Sequence, residues 1–166
     1  QSNIREREYR QDEAINEISQ KWSNQQTVSG PIITVPYKMY FKDEDDDKVK
    51  VLKKHAHFLP EQLKVNGDVN SELRKRGIYE AVLYSSDLKI EGNFSPISFD
   101  KWKINSDDIL WDEAFIALGI SDMRGINNQL SINLYNQIEK FKPGIPNQDV
   151  LDSGVSVPLS LNDSTC

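Results

Sequence analysis

The stretch Leu73-Arg74-Lys75-Arg76-Gly77-Ile78-Tyr79-Glu80-Ala81-Val82-Leu83-Tyr84 decides how this chain is read. A basic cluster meets a glycine and then an alternating apolar run, which predicts a turn followed by a strand. Ile78, Val82 and Tyr84 fall on one face, and Tyr79, Ala81 and Leu83 on the other. Apolar residues on both faces predict a strand covered on both sides. Its core, Arg76-Gly77-Ile78, returns as Arg124-Gly125-Ile126, again ahead of a segment in which apolar and polar residues alternate. Both units read as strand-starting devices. Glycine would supply a positive dihedral or a bulge, and arginine a fork onto carbonyls or a carboxylate such as Asp122. The functional alternative is an anion or headgroup contact by Arg74, Arg76 and Arg124, with Tyr79 and Asp122 beside them.

On the N-terminal side, Gln1 to Gln26 contain no proline or glycine, and Ile4, Gln11, Ile15, Ile18 and Trp22 recur at helical spacing. They predict an amphipathic helix packed by Ile15, Ile18 and Trp22, which Gly30-Pro31 would separate from the β-rich remainder. Ile33, Val35, Tyr37, Met39 and Phe41 share one side of a strand, with Pro36 marking an edge or a bulge. The acidic run Asp43 to Asp47 then turns the chain into a second strand ending near His55-Ala56-His57-Phe58, a candidate hairpin. Leu63-Lys64-Val65 reads as a short strand closed by a turn at Asn66-Gly67-Asp68.

On the C-terminal side, Ile109 to Leu118 read as an apolar strand. Leu130, Ile132 and Leu134 alternate with Ser131, Asn133 and Tyr135, a strand with one wet face. Val155, Val157, Leu159 and Leu161 alternate with Ser156, Pro158 and Ser160. That last strand needs a neighbour, and an exposed edge from Val155 to Leu161 would drive self-association.

The 166 residues suffice for one domain with a sizeable core. A net charge of -6 argues against nucleic acid, whose phosphates need a clustered positive surface. The single cysteine, Cys166, excludes a disulfide framework and a cysteine metal site. No run approaches the ~18 apolar residues of a membrane span. The chain begins at Gln1 without methionine and looks like an excised segment, so the parent protein is free to carry a span elsewhere.

Asp43, Asp45 and Asp47 match the first ligand positions of a calcium loop, but Lys48 stands at the glycine position and Lys54 at that of the closing glutamate. His55 and His57 would share a strand face within reach of one metal ion, yet two ligands are not a site, and a carboxylate would have to complete it. No nucleophile elbow, phosphate loop or dinucleotide fingerprint is present. The pairs Asp107-Asp108 and Asp112-Glu113 read as surface charge. No catalytic, metal or cofactor site follows.

Taken together, several motifs resemble the CreD family of bacterial inner-membrane proteins. They are Gly30-Pro31-Ile32-Ile33 with Val35-Pro36-Tyr37, Phe58-Leu59-Pro60-Glu61, Arg76-Gly77-Ile78-Tyr79 with Tyr84, and Ser121-Asp122-Met123-Arg124-Gly125-Ile126. Glu6, Tyr9-Arg10, Ala14, Glu17-Ile18 and Trp22 also resemble the segment following that family's first membrane helix. The resemblance implies a parent protein of the bacterial inner membrane, this segment facing the periplasm, with an N-terminal membrane helix before it and several membrane helices after it. It also implies a role in envelope integrity, a link to a two-component regulon, and no catalytic residues. It raises a juxtamembrane role for Arg5, Arg7 and Arg10.

The expected architecture is mainly β, an antiparallel sandwich or twisted sheet with an N-terminal helix, with α+β as the alternative. Residues 1–28 form the helix or stalk, and 29–166 a β-rich extracytoplasmic domain truncated at its C-terminal end. The expected function is non-catalytic, through envelope proteins or the membrane surface. The alternative is a ligand-binding or sensory module with a pocket lined by some of Tyr79, Tyr84, Trp102 and Trp111 together with an arginine.

Overall fold

From Pro31 to Pro36 every residue is buried in the computed structural model, which describes residues 2–22, 25–42, 48–76 and 78–161. This run lies in β1 (Val28–Lys42), the strand around which an antiparallel sheet is assembled. β2 (Val49–Phe58) folds back on β1 with Ile33 opposite Phe58 and Lys42 opposite Val49, the hairpin expected from the sequence. The acidic turn between them lies outside the described residues. The other edge of β1 pairs with β5 (Phe115–Ile120), and β5 in turn with β9 (Gly154–Pro158). The two-residue β8 (Lys142–Pro143) completes the order β2-β1-β5-β9-β8.

Alternation splits this sheet into two dry faces. Ile33, Val35, Ala56, Ile116, Val155 and Val157 belong to the core, with Phe58, Leu118 and the segment from Phe94 to Trp111 packed against it. Ile32, Thr34, His57, Phe115 and Ala117 face the other way, beneath Ile145, Asn147, Val150 and Leu151. Phe99 anchors the first layer, with Tyr37, Phe58, Trp102 and Trp111 edge-on around it at 5.6–5.9 Å. Such T-shaped contacts set the positive ring edge against the negative ring face.

The remaining strands form two ribbons. β6 (Ser131–Leu134) and β7 (Gln137–Lys140) turn at Tyr135 and Asn136, both at positive φ, as a two-residue hairpin requires. The wet face expected at Ser131 and Asn133 is present. β3 (Gln62–Arg76) and β4 (Tyr79–Asn93) pair over their full fifteen residues, a ribbon roughly 50 Å long. Helix α1 (Ser2–Trp22) lies against this ribbon. Ile15 of the helix is partly buried, whereas the side chains of Ile18 and Trp22 are outside the described set.

Several expectations are corrected. No turn forms at Asn66-Gly67-Asp68: β3 runs straight through, and Gly67 makes room for Leu88 on the opposite strand, 2.5 Å from where a Cβ would stand. An Asn-Gly turn needs flanking segments that pair with each other, and β3 finds its partner further on. Leu73 to Arg76 are therefore strand, and Ile78 is a turn residue with 88% exposure. The second Arg-Gly-Ile unit is not a strand start but a 3₁₀ turn, Met123–Gly125. Of Ile109 to Leu118 only Phe115 onward is strand, because Trp111–Glu113 coil into another 3₁₀ turn. Gly30-Pro31 lies within β1, where the pairing with β5 shifts between Ser29 and Ile32, so the helix ends before it rather than at it. The edge from Val155 to Leu161 is not open as expected: β9 has β5 on one side and β8 on the other, and Leu159 N–H donates to Ala114 O.

Two substitutions test this packing. Ile116→Ala removes one of the largest fully buried side chains and is expected to lower unfolding free energy by about 2–5 kcal/mol in urea titration. Gly154→Ala is expected to be at least as damaging. Its φ is 152°, and an added Cβ would lie 1.9 Å from Leu118 O, a backbone atom that cannot swing aside.

Candidate functional site

Antiparallel pairing places directly opposed residues on one face, which sorts the long ribbon into two unlike surfaces. Leu63, Val65, Val69, Leu73, Val82, Tyr84 and Leu88 share one face and are all exposed, at 46–73%. The opposite face carries Lys64, Asn66, Asp68, Asn70, Glu72, Ser85, Asp87, Lys89 and Glu91. Near the tip that face changes character. Ala81 is buried and Arg74 and Leu83 are half-buried, which places α1 over this end. The strand expected to be covered on both sides is thus covered on one only.

The predicted interaction residues separate into two places. Arg74, Arg76 and Tyr79 belong to the ribbon tip, Arg76 paired in register with Tyr79 and Arg74 with Ala81. Arg74 forms an ion pair with Glu72 at 3.1 Å; the side chains of Arg76 and Tyr79 lie outside the described set. Asp122 and Arg124 sit elsewhere, on the 3₁₀ turn after β5. Arg124 Nε donates to Asp122 Oδ1 at 3.0 Å and its Nη2 to Oδ2 at 2.7 Å, while the Arg124 N–H caps Oδ1 at 3.0 Å. These bonds hold the Asp122 carboxyl below its ordinary range and push the Arg124 guanidinium above its own. The same motif ties down the chain entering β1: Thr27 N–H donates to Ser121 Oγ, and Gln26 Nε2 to Asp122 O. The fork that the sequence allowed as structural is therefore made, and the two charges are spent on each other.

A third cluster completes the histidine pair seen in the sequence with a carboxylate that the sequence did not point to. His55 and His57 project from the same face of β2 with their rings stacked at 6.4 Å. The segment between β8 and β9 brings Asp149 Oδ2 to 3.3 Å from His55 Nδ1 and 3.8 Å from His57 Nε2. This is the carboxylate a metal site would have needed. The Nδ1 atom of each ring is otherwise engaged, however. Asn147 Oδ1 accepts from the Asp149 N–H, so its Nδ2 is turned to His55 Nδ1 at 3.0 Å, and Thr34 Oγ1 meets His57 Nδ1 at 3.0 Å. Among the described residues no group of three His, Cys, Asp or Glu side chains is arranged to hold a metal ion. The cavity below them, about 10 Å³, has room for one water molecule.

What this cluster does is latch a loop onto the sheet. Burial pushes the His57 imidazole below its ordinary value, reinforced by His55 and opposed by the Asp149 carboxylate. A depressed folded-state value means that the unfolded chain takes up the proton first. The contribution of neutral His57 is then whole above about pH 6.5 and lost as pH falls through the lower folded-state value.

Among the described residues Tyr84, Trp102 and Trp111 do not share the ligand pocket expected of them, and the Tyr79 side chain lies outside the described set. Tyr84 lies on the bare ribbon face, and the two tryptophans pack on Phe99. At the ribbon base, Gln62–Lys64 and Glu91–Asn93 border an open depression of about 390 Å³.

The fold and these clusters define a mainly β module in which Asp122 with Arg124, and Asp149 with the two histidines, serve as struts and latches. The chain belongs to the CreD family: the family described as inner membrane protein CreD matches residues 1–165. It is 31% identical over 148 residues to the inner membrane protein CreD of Escherichia coli (strain K12), a match covering 88% of this chain. That match takes in 32% of the relative, so the chain spans about a third of the relative's length. No solved structure matches it. No described helix is long and apolar enough to cross a membrane.

The latch gives a pH-dependent prediction. Between pH 7.5 and 5.5 the urea midpoint is expected to fall, and His57→Gln is expected to flatten that slope while Arg124→Gln leaves it unchanged.

Proposed function

We propose that this chain is a non-catalytic, periplasm-facing part of an inner-membrane protein that supports envelope integrity and is linked to a two-component regulon, and that it works through macromolecular contacts. Family membership supports the membrane setting. The observation carrying the mode of action is the partition of the chain's surfaces. Its described acid and base clusters close on each other, Asp122 with Arg124 and Asp149 with the two histidines, whereas its longest ribbon presents an uncovered apolar face. Exposed apolar surface of this extent marks contact sites, and catalysis needs convergent polar groups in a cleft.

The test is complementation. Cells lacking the protein are expected to admit a normally excluded dye, and the full-length protein to restore exclusion. His55→Gln, His57→Gln, Asp149→Asn and Asp122→Asn are each expected to restore it as well as the unsubstituted protein. If one of them is stably produced and fails to restore the barrier, a chemical role replaces a structural one. Protease added to spheroplasts is expected to cut within this stretch, and resistance that persists in detergent-free lysed cells would count only against accessibility, so cleavage confined to lysed cells is the result that overturns the orientation.

A further inference from the structure

We propose that the bare apolar face of the β3–β4 ribbon is a docking surface for polypeptide of the same protein lying outside residues 1–166. That polypeptide closes the face as a third layer, on the side of the ribbon opposite the helix. The proposal rests on the ribbon's geometry and on the relative's length, and not on a role in the envelope.

The first ground is the ribbon itself. A two-stranded ribbon is marginal in water unless further strands or a packed layer support it, and this one is about 50 Å long. α1 supports only the tip end of one face, where Ala81 is buried. On the other face Leu63, Val65, Val69, Leu73, Val82, Tyr84 and Leu88 make one apolar strip, interrupted by Gly67, Ser71, Ser86 and Gly92. Such a strip must be buried against another layer, and ribbon plus helix is two layers of what becomes three. Both long edges of the ribbon are unpaired within the described sheets, so added strands can also continue it sideways.

The second ground selects the occupant. The chain matches 32% of its relative, so roughly two-thirds of a protein of that size lies outside these residues. A layer tethered to the same polypeptide meets the ribbon at a millimolar-scale effective concentration, which a second copy in solution does not approach. The apolar strip also lacks the unpaired cations expected of a lipid-facing surface: Lys75 and Glu80, at its tip end, pair with each other.

Photocrosslinking tests this in the full-length protein in its membrane. p-Benzoylphenylalanine is placed at Val69 on the apolar face or at Asn70 on the polar one. The expected result is a monomer-mass product in which the Val69 position is joined to a peptide from outside residues 1–166, several-fold more than at Asn70. Crosslinks to a second copy, lipid adducts or no adduct at Val69 would each overturn the proposal. A parallel measurement guards against a misfolded probe protein: Val69→Lys is expected to lower the thermal midpoint of the full-length protein and Asn70→Lys to leave it in place. Equal effects would also overturn it.

Discussion

Strand β1 is hydrogen-bonded along both edges and covered on both faces between Pro31 and Pro36, and the sheet is arranged to supply that double burial. A strand in that position has no solvent to satisfy its backbone, so each carbonyl and amide must find a ladder partner. β2 and β5 provide the partners. The aromatic layer around Phe99 dries one face, and the loop carrying Asn147, Val150 and Leu151 dries the other. Pro36, which cannot donate, stands just past the end of the β5 pairing, where its carbonyl accepts from Leu110 N–H instead. Beyond Tyr37 the hairpin leaves the sheet, and Tyr40–Asp108 and Lys53–Glu113 contacts tether it to the irregular segment.

Local periodicity made much of this legible. Ile33, Val35 and Tyr37 announced β1, and the acidic run between two apolar segments announced the hairpin with β2. The family motifs also sat where folding needs them: Gly30-Pro31 at the register shift of β1, and Ser121-Asp122 where β5 meets the chain entering β1. What failed was anything whose meaning depends on distant partners. Asn66-Gly67 carries a turn signal, but only the pairing of β3 with β4 decides that it is spanned. Asp149 lies some ninety positions from the histidines it approaches, and no local pattern ties it to them. In the first Arg-Gly-Ile, Arg76 ends a strand and Ile78 is a turn residue, whereas Arg124-Gly125 of the second lie in a 3₁₀ turn, because the residues around each copy differ in what they can bond.

The ribbon and the sheet embody two ways of meeting the same demand. Around Pro31 to Pro36 the sheet's apolar strips have a second layer taken from these 166 residues, including the short loop over Ile32 and Ala117, whereas the distal end of the β1–β2 hairpin leaves Met39, Val51 and Leu52 exposed. In the ribbon, composition led to an expectation of cover on both sides, and helix α1 supplies it only at the tip of one face. The mismatch between composition and burial thereby carries information that neither holds separately.

The strand order β2-β1-β5-β9-β8 also bears on how the chain is made. The ribbon and the first hairpin pair only with their immediate successors, so they can close as soon as they emerge from the ribosome. The sheet cannot: Ile116 must await Val157, and Ile33 must await Ile116, before the core exists. Long-range pairings of this kind close slowly. A nascent chain interrupted before β9 therefore displays its most apolar strands unprotected. Chaperone contact during synthesis is expected to fall most heavily on the interval between β5 and β9.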